Sequence, residues 1–151
     1  MGDRGFTLIE VLSALIVIGI ISAVALSRID ISSAEVNAAG EVVKSHLRYA
    51  QLRAMNSERV WGISCDGTDY WLFMDGNITN HVILPGEDSD PVALADKNIS
   101  MAAFTVSFDS WGRPYTNASA SGASSGTAIT IASPGASSVG ITITSETGFI
   151  P

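Results

Sequence analysis

The chain has 151 residues, enough for one domain with a core of its own, and carries a formal net charge of −7 at pH 7. Up to Arg59 the acids Asp3, Glu10, Asp30, Glu35, Glu41 and Glu58 cancel the bases Arg4, Arg28, Lys44, Arg48, Arg53 and Arg59, so the whole excess falls from Val60 onward, where only Lys97 and Arg113 oppose the carboxylates. Such an acidic segment repels phosphate backbones and argues against nucleic acid as a partner, while the single cysteine, Cys65, excludes an internal disulfide.

From Phe6 to Leu26 an apolar run carries a single charge, the carboxylate of Glu10. A carboxylate costs about 2.5–3.5 kcal/mol at a bilayer centre and less near the interface, so it needs a partner or a function. Phe6 to about Ile29 is roughly 24 residues, or about 36 Å as a helix, enough to span a hydrocarbon core of about 30 Å. Ser13, Ala14, Gly19, Ser22 and Ala23 would let another helix approach closely, and an ordinary single-span anchor accounts for them equally well. Gly19 also softens the helix, at about 1 kcal/mol relative to alanine.

The run Gly5-Phe-Thr-Leu-Ile-Glu-Val-Leu12 resembles the N-terminal signature of the type IV pilin and type II secretion pseudopilin superfamily. The resemblance implies a leader of residues 1–5, cleavage between Gly5 and Phe6 by a prepilin peptidase, and N-methylation of Phe6. It also implies that Glu10 pairs with the Phe6 ammonium of a neighbouring subunit during assembly. Cleavage creates a cation at the depth where the acid sits, and the attraction grows as the dielectric falls. Two other readings of the segment stand beside this one. Glu10 as a stray acid is favoured near a helix start by about 0.3–1 kcal/mol. A conventional secretory signal would use Arg4 as its basic region and cut after Ala25, releasing a secreted soluble binding protein. Against it, the apolar run is long, is interrupted by Glu10, and is followed by more helical pattern.

Beyond Ile29 the pattern turns amphipathic with no turn signal. Val36, Ala39, Val43, Leu47, Ala50 and Ala54 recur at steps of three and four, which predicts one buried helix face. Ile31, Ala38, Val42 and Tyr49 form a weaker second stripe, and Glu41, Lys44, Arg48 and Arg59 project to the other side. No proline occurs from Phe6 to Arg59, so the expectation is one continuous rod, with residues 6–29 spanning the membrane and 30–58 packed on a domain of residues 60–151. To about Asn56 it would measure roughly 75 Å. His46, near the stripe, and His81 lack the companions a metal site needs and read as structural.

After Asn56 the period changes to short β-like runs. Val60 to Cys65 and Tyr70 to Met74 flank Asp66-Gly67-Thr68-Asp69, a hairpin signal, and Asp75-Gly76-Asn77 ends the second run. Further strands are expected at His81 to Leu84, Ala103 to Phe108, Thr127 to Ala132, Val139 to Thr144 and Phe149-Ile150. In Thr127 to Ala132 and Gly140 to Thr144, isoleucines alternate with small or hydroxyl residues, so one face is buried. Pro85 to Asp96 and Asn117 to Gly126 read as exposed, mobile connections. The fold class is therefore α+β: a long N-terminal helix, transmembrane then amphipathic, packed on a small antiparallel sheet or sandwich.

Chemistry on this part is sparse. Glu87, Asp88 and Asp90 do not have the spacing of an EF-hand and read as a solvated acidic loop, with Ca²⁺ ligation as the alternative. Asp109, Trp111 and Arg113 read as a strand-end turn with Trp111 covering the core, or else as a recognition cluster. Cys65 reads as a small core residue. The sequons at Asn77, Asn98 and Asn117 are expected by chance in a Ser/Thr-rich chain. No nucleophile stands beside a base and no phosphate loop is present, so the chain reads as a non-enzyme without catalytic residues, metal or cofactor.

The turn Phe108-Asp-Ser-Trp-Gly-Arg-Pro114 and the ending Thr142-Ile-Thr-Ser-Glu-Thr-Gly-Phe149 resemble H-type minor pseudopilins and FimT-like minor pilins. With the disulfide of major type IVa pilins missing, this implies a minor subunit of a type II secretion pseudopilus or a type IV pilus. Its expected partners are other pilin or pseudopilin subunits, the prepilin peptidase/methyltransferase, an assembly platform with its ATPase, and membrane lipid. Its expected place is the bacterial inner membrane, single-pass, with the β domain periplasmic or extracellular.

Overall fold

The computed structural model of the protein describes residues 7–26, 31–134 and 138–151 and divides into two units, Met1–Ile31 and Ser32–Pro151. In the first unit, α1 (Leu8–Leu26) begins where Thr7 supplies acceptors for the first turn. The Thr7 carbonyl accepts the N–H groups of Glu10 at 3.0 Å and Val11 at 3.2 Å, and its hydroxyl accepts the Glu10 N–H at 3.4 Å. The 19 residues of α1 reach about 28 Å, and among the described residues no helix is long and apolar enough to cross a membrane. Phe6 and residues 27–29, by which the expected span exceeds α1, lie outside the described residues, as does the continuity expected across residues 27–30.

In the second unit, α2 (Ile31–Ser57) buries one stripe. Val36, Val43, Leu47, Ala50 and Ala54 are buried, with Ala39 partly so, which is the face expected from their spacing. Burying a valine or leucine contributes about 1.5–3 kcal/mol, so this face holds the helix to its domain. The helix ends at Glu58, whose φ of 53° is the left-handed conformation that stops a helix.

Two antiparallel sheets complete the core. In the larger, the order is β3 (Asn77–Val82), β2 (Asp69–Met74), β1 (Trp61–Cys65), β6 (Phe104–Phe108), β7 (Pro114–Tyr115), with β4 (Val92–Ala93) also on β2. In the smaller, the order is β5 (Ser100–Met101), β8 (Thr127–Ala132), β9 (Val139–Ile143). Trp61 pairs with Met74 and Phe108 at one end of β1, and Cys65 pairs with Tyr70 and Phe104 at the other. Asp66 Oδ1 accepts the N–H groups of Thr68 and Asp69, both at 2.8 Å, and so closes the expected hairpin. Ile129 faces Ile141, and Ile131 and Ile143 are buried with them, so the isoleucine alternation turns these strands toward α2 as expected. The class is α+β, consistent with a pilin-like fold.

Three expectations need correction. Asp75 and Gly76 both have positive φ and form a two-residue hairpin turn, so a strand begins at Asn77 and extends through Val82, earlier than the expected start at His81. Phe149 and Ile150 form no strand, although the Phe149 carbonyl accepts the Thr144 N–H at 2.9 Å. Within the 85–96 connection Val92 and Leu94 are buried, because the edge of β2 offers backbone partners there. The 117–126 connection has no buried residue, and the Ser107 hydroxyl donates to the Asn117 carbonyl at its start at 2.6 Å.

Candidate functional site: an unpaired acid on an unpacked helix

Glu10 lies in the first turn of α1 and is exposed. Its N–H is spent on Thr7 and its carbonyl accepts the Ser13 hydroxyl at 2.9 Å, but among the described residues its carboxylate has no cation. Val11, Ala14 and Leu15 form a shallow apolar depression beside it. Gly5 and Phe6, the other two expected site residues, lie outside the described residues.

The rest of α1 is apolar on every side, and its residues from Leu8 to Val24 are exposed. Leu8 is 84% exposed and Ile18 is 59% exposed, although they lie far apart along the helix. At about 1.5–3 kcal/mol for each Leu, Ile or Val left in water, the deficit over this helix rivals the whole stability of a domain. A helix hydrophobic on every side belongs inside something, whether protein or lipid. Glu10 then needs a counter-charge from that same surrounding.

Among the described residues of the second unit no catalytic constellation forms. His46 is buried, its Nε2–H donates to the Pro85 carbonyl at 3.1 Å, and Tyr70 OH donates to its Nδ1 at 3.2 Å. A carbonyl can only accept, which fixes the neutral tautomer, and burial lowers the imidazole pKa from 6.5. Burial, with Glu87 nearby, likewise drives the Tyr70 hydroxyl upward. Cys65 is a buried strand residue whose thiol burial pushes up, away from reactivity. His81 stacks on Trp71 at 5.1 Å and faces Asp90 at 3.3 Å, while Glu87 pairs with Lys97 at 2.8 Å. Carboxylates of the acidic loop thus serve separate partners, and among the described residues no group of three or more His, Cys, Asp and Glu could hold a metal ion.

The Asp109–Arg113 turn departs from expectation. Asp109 Oδ1 accepts the N–H groups of Trp111 and Arg113, both at 2.9 Å, and Oδ2 accepts the Tyr115 hydroxyl at 3.0 Å. Trp111 covers no core, for it is 75% exposed. Sequence reasoning also missed the His46–Tyr70 pair, whose only signal was a histidine beside the apolar stripe.

Residues 1–26 match a family model described as the prokaryotic N-terminal methylation motif. That motif is typical of type IV pilins and pseudopilins, and it supports a structural subunit of that type. It implies interaction with other pilin subunits and with a prepilin peptidase. No curated protein and no solved structure matches the chain.

Proposed function

We propose that the protein is a minor subunit of a type II secretion pseudopilus or a type IV pilus, held in the bacterial inner membrane by α1 until it is drawn into the filament. A peptidase cuts between Gly5 and Phe6, and Phe6 is methylated. The helix then exchanges lipid for neighbouring helices, and Glu10 meets the Phe6 ammonium of the adjacent subunit. An assembly platform and its ATPase drive the exchange, while the acidic β domain remains periplasmic or extracellular.

The observation that carries this reading is the pairing of an unpartnered carboxylate with a helix that buries no face. Lipid alone would accept the apolar surface but would leave Glu10 without a counter-charge, whereas a filament core supplies both. Mass measurement of the mature N-terminus tests it. An N-methylated Phe6 is expected, and a chain beginning at Leu26 would indicate a secreted soluble protein and overturn the reading. Glu10→Ala is expected to leave the cut intact and to lower filament incorporation, so full incorporation of that variant would refute the pairing.

A further inference from the structure

Between Leu84 and Val92, both buried, residues 85–91 form a bridge that buries no apolar side chain of its own. Polar contacts therefore hold its middle. The Pro85 carbonyl accepts the Nε2–H of His46 on α2 at 3.1 Å, Glu87 pairs with Lys97 at 2.8 Å, and Asp90 faces Nδ1 of His81 on β3 at 3.3 Å. The chain has two histidines, and both are spent on this one segment. Pro85, Gly86 and Glu87 also share the wall of a hollow of about 300 Å³ with Val42, Val43 and Ile99 on the rest of the unit.

The two histidines hold the bridge in opposite charge states. His46 is 2% exposed and neutral: its one N–H is given to Pro85, and Nδ1 accepts the Tyr70 hydroxyl at 3.2 Å. A proton added to Nδ1 would set two donors against each other and leave a buried cation with no carboxylate in contact. Glu87, the acid facing it from the bridge, is bound to Lys97, whose own charge opposes an imidazolium. Tyr70 is the titratable group facing it from β2, and on α2 the neighbouring Lys44 is held by Glu41 at 2.9 Å. Hydration is what remains to a charged His46. The Pro85-Gly86 corner is the part of its cover that gives way most cheaply, for both residues are exposed.

His81 behaves in reverse. Its side chain is partly exposed, stacks on Trp71 with ring centroids 5.1 Å apart, and faces Asp90. Protonation turns that contact into an ion pair beside an aromatic face and strengthens it.

We infer that residues 85–91 are a pH-sensitive latch: in acid the Pro85 end lifts from His46 and opens the hollow, while His81 keeps the Asp90 end fastened. The open form takes up a proton on His46 that the closed form refuses, so a fall in pH below about 6.5, the ordinary histidine value, favours opening. The device lies wholly in the second unit and stands whether or not the chain enters a filament.

Hydroxyl-radical footprinting of the detergent-solubilised full chain tests the latch, with Tyr70, 1% exposed beside His46, as the reporter. Between pH 7.5 and pH 5.5 the open fraction, and with it Tyr70 labelling, is expected to rise about tenfold. Phe73 and Phe108, buried in the sheet, and Leu94, beyond Asp90, are expected to stay protected. His46→Gln keeps both hydrogen bonds, cannot take the proton, and is expected to show no rise. Unchanged Tyr70 labelling in the unaltered chain, or an equal rise in H46Q, would overturn the inference. Labelling of Phe73 and Phe108 in step with Tyr70 would show loss of the whole fold, and labelling of Leu94 would show release of both ends; either result overturns it as well. Should H46Q fail to fold, seen as Phe73 labelling already at pH 7.5, the pH range in the unaltered chain decides. A rise confined below about pH 5, where carboxylates titrate, sinks the latch. In H81Q, Leu94 is expected to become labelled in acid along with Tyr70, and its continued protection would overturn the part given to His81.

Discussion

The helices α1 and α2 are built from similar apolar residues and meet opposite fates. On α2 the valine, leucine and alanine stripe disappears into the β domain while Glu41 and Arg48 stay exposed and Lys44 is half-buried. On α1 the apolar residues cover every side, and among the described residues none is buried. One helix is folded by its own chain, and the other waits for a surrounding that the chain does not contain. A helix apolar on every side marks an assembly element, and one with a single apolar stripe marks a domain element.

The difference is broken most strongly by truncating the same residue type on each helix. Leu47→Ala is expected to cost about 2–5 kcal/mol, since Leu47 is completely buried, whereas Leu15→Ala should change the stability of the folded domain by less than about 0.5 kcal/mol. Urea midpoints of the detergent-solubilised full chain measure both, and equal losses would erase the contrast. Next comes the sheet beneath α2: a methyl group at Gly62 would run into the Val106 carbonyl and the Phe73 ring, so Gly62→Ala should cost about 1–3 kcal/mol through overpacking. An unchanged midpoint would mean that β1 and β6 can separate at no cost.

The smallest expected effect is a pH dependence confined to the second unit. Burial lowers the His46 pKa below 6.5 in the folded chain. As pH falls through 6.5 the unfolded chain binds a proton here that the folded chain refuses, so stability declines from there down to the folded pKa. His46→Gln keeps a donor for Pro85 and an acceptor for Tyr70 and should flatten this decline above about pH 5, where carboxylates begin to titrate. Persistence of the same slope in the variant would assign it to other groups.

Much of this arrangement was legible in the residues themselves, for physical reasons that differ by element. The α2 stripe and the Ile129, Ile131, Ile141 and Ile143 alternation were readable because burial there follows a fixed period. The hairpin at Asp66 was readable because its carboxylate closes the loop locally. The two-residue strands β4, β5 and β7 were not, since each exists only because a longer strand offers it partners. Trp111 was misjudged for a related reason: hydrophobicity predicts that a side chain will seek burial but not whether its own chain will provide it. Of the candidate assembly residues, Glu10 was singled out by chemistry alone, as a charge in an apolar run.

One side chain has a mechanical role. The Gln51 amide on α2 donates to the carbonyls of Gly112 at 2.8 Å, Gly148 at 3.1 Å and Thr147 at 3.3 Å. Gly148 sits too close to the Gly112 carbonyl for any side chain, so the turn, the closing segment and the helix meet at a single node. A pull applied at the Trp111 turn therefore has a load path into the helix axis that bypasses the β1–β6 hydrogen bonds. Tension would pass into α2, leaving the sheet as ballast.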